Sequence, residues 1–230
     1  MGMFYFAFIF CLMRDSQQRS GHVVDRHSDN RPQSIFTMLY AFRWQLLAVF
    51  CFLCGLWSKT VMITALAVAP LYDRAFLSDT WLQVLRARGW VYLAPISGGM
   101  VAVVSILPGV LRGDANVGFG GDAPPLANYL AAEAKVIWIY LVSSCLPSDL
   151  SIDHGMIAPP FWQSNLLWIV LTGGLVLTGV IACFRSRYAL GFLILTPLLI
   201  LAPTSSIIPT ADLLVEHRMY VPLAVVIAAL

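Results

Sequence analysis

Long apolar runs recur along the whole chain and are separated only by short polar stretches. Of the 230 residues, 59% are hydrophobic and 11% are charged, whereas about 25% of the residues in an ordinary soluble domain are charged. Water cannot solvate this much apolar surface, but a lipid bilayer can. A chain in lipid must also satisfy its own backbone hydrogen bonds, which favours helices. The sequence therefore predicts an all-α, polytopic membrane helix bundle, with residues 1–230 forming a single multi-pass membrane domain.

Eight apolar runs are candidates for helices. Two of them, residues 2–13 and 219–230, are shorter than the roughly 20 residues that span a bilayer. The first has no basic leader or cleavage site and the second has no polar flank, so we expect the chain to be an internal piece of a longer membrane protein. The six internal runs are residues 35–57, 60–72, 90–111, 128–146, 161–184 and 189–202.

Run length and proline positions indicate where the bundle is irregular. The runs at residues 60–72 and 189–202 are short, and the second contains Pro197. They predict broken or tilted helices that border a cavity. Residues 109–125 are rich in glycine and proline, which predicts an irregular loop.

The arginines predict the orientation of the runs, because short loops rich in Lys and Arg remain in the cytoplasm. Residues 14–34, 73–89 and 185–188 carry most of the arginines and are expected inside. The ionisable residues of the loops at 147–160 and 203–218 are mainly acidic residues and histidine, and both loops are expected outside. This scheme requires residues 128–146 to lie along the outer face, or to dip into it, instead of crossing the membrane.

Charge and cysteine content exclude several other classes of protein. A net charge of +2 is too small and too scattered for a nucleic-acid-binding surface. The five cysteines lie in or beside apolar runs, where a thiol behaves as a small hydrophobe, so we expect no disulfide framework. Cys51 and Cys54 spell C-F-L-C, but a zinc or redox site needs a second ligand pair or a thioredoxin-like context. We therefore expect no metal and no cofactor.

The most charged stretch beside an apolar run is P-T-S-S-I-I-P-T-A-D-L-L-V-E-H-R-M-Y-V-P, residues 203–222. It places Glu216, His217 and Arg218 directly before the last apolar run. Charged groups at a membrane edge are costly and usually face a bundle interior or an aqueous cavity, where they commonly serve function. The alternative is interfacial anchoring, with Arg218 and Tyr220 extending towards the lipid headgroups.

Two further polar positions stand out. Lys59 interrupts the apolar stretch of residues 46–69, and an unpaired ammonium there would cost a few kcal/mol. It needs a carboxylate, a water-filled cavity or an anionic ligand, unless Ser58 and Lys59 form a turn at the interface. Asp153 and His154, in C-L-P-S-D-L-S-I-D-H-G, could supply acid–base or metal-ligand chemistry, or could simply be solvated loop residues.

Five motifs occur in an order and spacing that resemble one membrane family. They are L-W-S-K-T (56–60), A-P-L-Y-D (69–73), Y-L-V-S-S-C-L-P-S-D-L-S-I-D-H (140–154), P-T-S-S-I-I-P (203–209) and E-H-R-M-Y-V-P (216–222). The family is that of the transmembrane and tetratricopeptide-repeat O-mannosyltransferases and their bacterial relatives, within the polyprenyl-phosphate-sugar-dependent, C-type glycosyltransferases. E-H-R-M-Y-V-P is the most specific of the five.

The resemblance implies an enzyme that transfers a sugar from a polyprenyl-phosphate donor to a protein Ser or Thr hydroxyl on the outer or lumenal face. A polyprenyl-phosphate leaving group is anionic, so Lys59 and Arg218 are the candidates for binding its phosphate. Glu216 and His217 would orient Arg218 or the acceptor, with Tyr220, Asp153 and His154 in supporting positions. The membrane would be the inner membrane of a bacterium or the endoplasmic reticulum of a eukaryote.

The chain also departs from this family. Such enzymes carry their catalytic carboxylate in an outer loop after the first transmembrane helix, and we expect that residue upstream of Met1. No 34-residue repeat pattern is present either. This piece is therefore expected to be inactive alone. Two other classes remain open: a multi-pass transporter, which usually shows paired repeats in its two halves, and a non-catalytic membrane scaffold whose charges are only anchors.

Overall fold

The computed structural model describes residues 1–25, 35–112, 125–146, 162–203 and 214–229. All secondary structure in these ranges is helical, which confirms the all-α prediction. The α-helices are α1 (Gly2–Asp25), α2 (Ile35–Ser58), α3 (Ala65–Tyr72), α4 (Trp81–Arg112), α5 (Leu126–Cys145), α6 (Leu166–Phe184), α7 (Tyr188–Ala202) and α8 (Pro222–Ala229). Short 3-10 turns lie at Thr60–Thr64, Trp162–Asn165 and Glu216–Tyr220, and a π-helical turn lies at Asp73–Leu77.

Three predicted loops were partly wrong, because helices continue into them. Helix α1 runs on to Asp25, α4 begins at Trp81 and α4 ends at Arg112, so parts of the loops at residues 14–34, 73–89 and 109–125 are helical. In the first case the physical reason is visible: the Asp15 carboxylate is bonded to Arg19 one turn later at 2.9 Å. Paired polar residues of this kind do not end a helix.

The chain divides into two compact units, Met1–Ala102 and Val103–Leu230, and the boundary falls within α4. That both units act as one membrane domain stays a prediction. In the first unit, α1 and α2 pack along each other in opposite directions. Phe8 stacks edge-on against Phe52 with ring centroids 5.8 Å apart. About two helical turns further along, the Gln45 side-chain amide donates a hydrogen bond to the Asp15 carboxylate. The Phe8 and Phe52 rings are fully buried.

In the second unit, α6 and α7 form a hairpin closed by the turn at residues 185–187. Ser186 adopts a positive φ of 59°, and the backbone N–H of Arg187 returns to the carbonyl oxygen of Ala182 at 2.8 Å. The two helices approach closely where glycines face the partner helix. A Cβ at Gly179 would lie 2.8 Å from the Leu195 side chain, and a Cβ at Gly191 would overlap the Cys183 Sγ.

We expect Gly191→Ala to destabilise the α6–α7 hairpin by about 1 to 3 kcal/mol, the usual effect of overpacking. Besides the clash with Cys183, the new methyl group would lie 3.1 Å from the backbone oxygen of Gly179, which cannot rotate away. The matched control is Gly174→Ala on α6, where the added Cβ meets no atom within 4 Å and should slightly stabilise the helix. Unfolding in mixed micelles measures both, and equal stability of the two variants would contradict this packing.

Two helical segments within the described ranges are long and apolar enough to cross a membrane, Thr60–Leu77 and Gln163–Phe184. Only 11% of the second segment is buried inside the structure. Its outward-facing apolar side chains are Leu166, Leu167, Val170, Leu171, Val176, Leu177, Ile181 and Phe184. These two segments support membrane association by length and composition, and the number of crossings stays a prediction.

Candidate functional site

The E-H-R-M-Y-V-P motif lies directly against α5. Val215 has an extended backbone, the 3-10 turn Glu216–Tyr220 follows, and Pro222 begins α8. Proline is favoured at the first position of a helix because its missing N–H would have no partner there. The motif therefore comprises a 3-10 turn and the first residue of α8, and Arg218 lies within the 3-10 turn.

A patch of buried side chains on α5 receives this segment. Tyr129, Ala132, Val136 and Tyr140 are spaced by three or four residues, so they share one face of the helix. They form one buried cluster with Leu201 of α7, with Leu214, which precedes the motif's turn, and with Met219, which lies within it. The phenolic hydroxyl of Tyr140 donates to the Val215 carbonyl oxygen and accepts from the Val215 N–H, both at 2.9 Å.

The Arg218 guanidinium is paired with Glu133, also on α5. Arg218 Nη1 and Glu133 Oε1 are 3.7 Å apart, and their side chains are 9% and 2% exposed. This separation is longer than a hydrogen bond, so the contact is an attraction between charges. Glu133 precedes Tyr140 by about two helical turns, on the same side of α5. The motif thus runs antiparallel to α5, from Val215 at Tyr140 to Arg218 at Glu133.

The other predicted residues of the motif differ in their exposure. His217 is exposed, and Tyr220 is 55% exposed. Glu216 begins the 3-10 turn, but its side chain lies outside what the structure describes. Asp153 and His154 also lie outside the described residues, so their supporting role stays a prediction.

Lys59 occupies the turn between α2 and the 3-10 turn Thr60–Thr64. Its backbone is extended, its N–H bonds to the Gly55 carbonyl at 2.9 Å, and its side chain is exposed. The neighbouring Trp57 is 97% exposed. This geometry agrees with the turn that the sequence left open as an alternative. Lys59 belongs to the first unit and Arg218 to the second, so their joint binding of one phosphate stays a prediction.

The first unit holds an ionic network that the sequence did not reveal. Arg88 Nε lies 2.7 Å from Asp15 Oδ2, and Arg88 Nη1 lies 2.6 Å from Asp73 Oδ2. All three side chains are at most 2% exposed. The sequence predicts that Arg88 lies in a cytoplasmic loop, at residues 73–89. It is instead buried between two carboxylates, which weakens the positive-inside argument for residues 73–89.

Further donors complete the network around both carboxylates. Asp73 accepts from the hydroxyls of Tyr92 and Ser78 at 2.8 Å each. Asp15 accepts from Arg19 at 2.9 Å and from the Gln45 amide at 3.2 Å. The network thereby joins α1, α2, α4 and the π-helical turn. Because these carboxylates are surrounded by the chain's own donors, we interpret the network as structural. Its only sequence signal was the A-P-L-Y-D motif, which contains Asp73.

Metal binding and similarity to known proteins add no further assignment. Within the described ranges, no three His, Cys, Asp or Glu side chains are gathered so that they could hold a metal ion, and the five cysteines are free. Comparisons with protein-family models, with curated proteins and with solved structures find no match for the chain.

Proposed function

We propose that the chain is the membrane part of a C-type glycosyltransferase. The full-length protein would take a sugar, mannose by the family resemblance, from a polyprenyl-phosphate donor and pass it to a Ser or Thr hydroxyl of an acceptor protein on the outer face. The ordered motifs from L-W-S-K-T to E-H-R-M-Y-V-P support this proposal. So do the two helical segments that are apolar enough to cross a membrane.

The observation that carries the proposal is the placement of Arg218. Its guanidinium is largely buried, sits directly before the apolar helix α8 and is held against α5 by the Glu133 carboxylate. A cation at such a position can stabilise the negative charge that develops on a leaving phosphate. Glu216 and His217 would orient Arg218 or the acceptor, and Tyr220, Asp153 and His154 would support the site.

The proposal includes a multi-pass membrane placement. The exposed aliphatic side chains along α6 would contact lipid acyl chains, which solvate apolar surface that water does not. A contact within the second unit supports the predicted topology. Val215 is bonded to Tyr140, which lies close to the end of α5 at Cys145. Val215 therefore lies beside the C-terminal part of the helix that precedes residues 147–160.

From this we expect the loops at residues 147–160 and 203–218 to share one side of the membrane. Cysteines introduced singly at Ser151 and Thr210, in a cysteine-free background, should react with an impermeant thiol reagent from the same side. A cysteine at Ser186, in the turn between α6 and α7, should react from the opposite side. Labelling of the cysteines at positions 151 and 210 from opposite sides would contradict this topology, because only one of α6 and α7 would then cross the membrane.

The proposed activity is tested by sugar transfer in membranes that contain the full-length protein, because the resemblance places the catalytic carboxylate outside this chain. We expect labelled mannose to pass from polyprenyl-phosphate mannose to a Ser/Thr-containing peptide, and alkali to release it by β-elimination. A serine-free and threonine-free peptide is the control. Transfer from a nucleotide-linked sugar but not from the lipid-linked donor would contradict the proposal.

A further inference from the structure

Arg218 is tied to α5 by its backbone as well as by its side chain. The Val215 carbonyl oxygen accepts the Tyr140 hydroxyl at 2.9 Å and also the backbone N–H of Arg218 at 3.2 Å. Tyr140 is thus connected to the Arg218 backbone through a single carbonyl oxygen. The same hydroxyl accepts the Val215 N–H, so it occupies both backbone groups of the residue from which the turn starts.

Both residues that make this contact are buried. Tyr140 is 3% exposed and Val215 is 6% exposed, so water does not replace the phenol as a partner for these backbone groups. Leu214 and Met219 are buried in the same cluster as Tyr140, and apolar packing by itself does not fix the rotation of a turn. The hydroxyl does, because hydrogen bonds are directional.

We propose that Tyr140 is a positioning residue for Arg218. This positioning role rests on the proposed function. It adds that the Arg218 guanidinium is set in place before the lipid-linked donor binds. Tyr140 fixes the backbone of the turn, and Glu133 draws the guanidinium towards α5. A polar group that is held in its binding geometry does not lose freedom when the ligand arrives, and its contact with the ligand is stronger for that reason.

The test measures binding of polyprenyl phosphate to the detergent-solubilised full-length protein, with Tyr140→Phe combined with Arg218→Ala in a double-mutant cycle. Tyr140→Phe keeps the buried ring and removes only the hydroxyl. We expect it to weaken binding by about threefold to tenfold in the wild-type background, and to cause no further loss once Arg218 is replaced. Thr172→Val, which removes a hydroxyl that links α6 to α5, is the matched control and should leave affinity unchanged.

A purely structural role for Tyr140 would weaken binding equally in both backgrounds, and that result overturns the inference. Unchanged affinity for a folded Tyr140→Phe protein overturns it as well. If Arg218→Ala itself leaves affinity unchanged, the proposed function fails at this site, and the positioning role fails with it. A loss with Arg218→Ala but none with Tyr140→Phe removes only the positioning role.

A second measurement on the unmodified protein does not depend on whether a variant folds. Amide hydrogen exchange should show Val215 and Arg218 protected before any polyprenyl phosphate is added, because both N–H groups already have their partners. Addition of the probe should then change this protection little. Rapid exchange of both amides that slows only after the probe is added would mean that the donor orders the turn, which overturns prior positioning by Tyr140.

Discussion

Replacing Arg88 by methionine is expected to lower the free energy of unfolding of the protein by about 3 to 5 kcal/mol. The substitution keeps a long side chain but removes the positive charge between two carboxylates, Asp15 and Asp73, that are at most 1% exposed. Each carboxylate then remains buried without its main counter-charge, and desolvation of an uncompensated charge is costly. Unfolding of the full chain in mixed micelles, followed by circular dichroism, measures the loss.

The neighbouring arginine provides the matched control for this change. Arg86 lies on the same helix, α4, and its side chain is exposed, so Arg86→Met should change stability by no more than about 0.5 kcal/mol. Adding Asp15→Asn and Asp73→Asn to Arg88→Met should recover part of the loss, because no uncompensated charge stays buried. Equal stability of the Arg88→Met and Arg86→Met proteins would contradict the buried network.

Arg218→Ala is expected to weaken binding of a lipid-linked phosphate by roughly tenfold to a hundredfold. One charge-assisted contact to phosphate contributes about 1.5 to 3 kcal/mol, and this range corresponds to that loss of affinity. Arg218→Lys should recover only part of it, because an ammonium keeps the charge but lacks the planar fork that can hold two oxygens. The measurement is the Kd of each variant for polyprenyl phosphate, made alongside its yield in the membrane.

Membrane yield separates donor binding from anchoring at the lipid interface. If Arg218 only anchors the chain, Arg218→Ala should lower insertion or expression and leave the affinity of the inserted protein intact. Arg185→Ala is the matched control, since Arg185 is an exposed arginine of the same unit in the turn between α6 and α7. It should affect neither the affinity nor the Tyr140-dependent geometry of the Arg218 turn.

Local sequence pattern was sufficient for much of the fold. The runs at residues 128–146 and 189–202 correspond closely to α5 (Leu126–Cys145) and α7 (Tyr188–Ala202), because apolar stretches of this length are helical wherever backbone groups must bond within the chain. The extension of α1 to Asp25 could not be predicted from hydropathy. Polar residues there are typical of a loop, and apart from Arg19 on the same helix the partners of Asp15 lie on other helices.

The candidate site was predictable in its residues but not in its contacts. The sequence singled out Arg218 because it is charged beside an apolar run. It did not indicate Glu133 as the partner of Arg218, because hydropathy does not show which segments pack against each other. Tyr140 and Val215 are 75 residues apart in the chain, and Asp15 and Arg88 are 73 apart. Contacts over such separations depend on how helices pack, which single-sequence periodicity does not specify.

Binding of the phosphate of a lipid-linked sugar by this chain can be isolated by comparing two lipids that differ only in that phosphate. The full-length protein is titrated in detergent with polyprenyl phosphate and with the matching polyprenol, for the wild type and for Arg218→Ala. We expect the wild type to bind the phosphate form more tightly than the alcohol, by roughly tenfold or more, and Arg218→Ala to remove most of this difference. Equal affinity of the wild type for the two lipids would contradict binding of the phosphate.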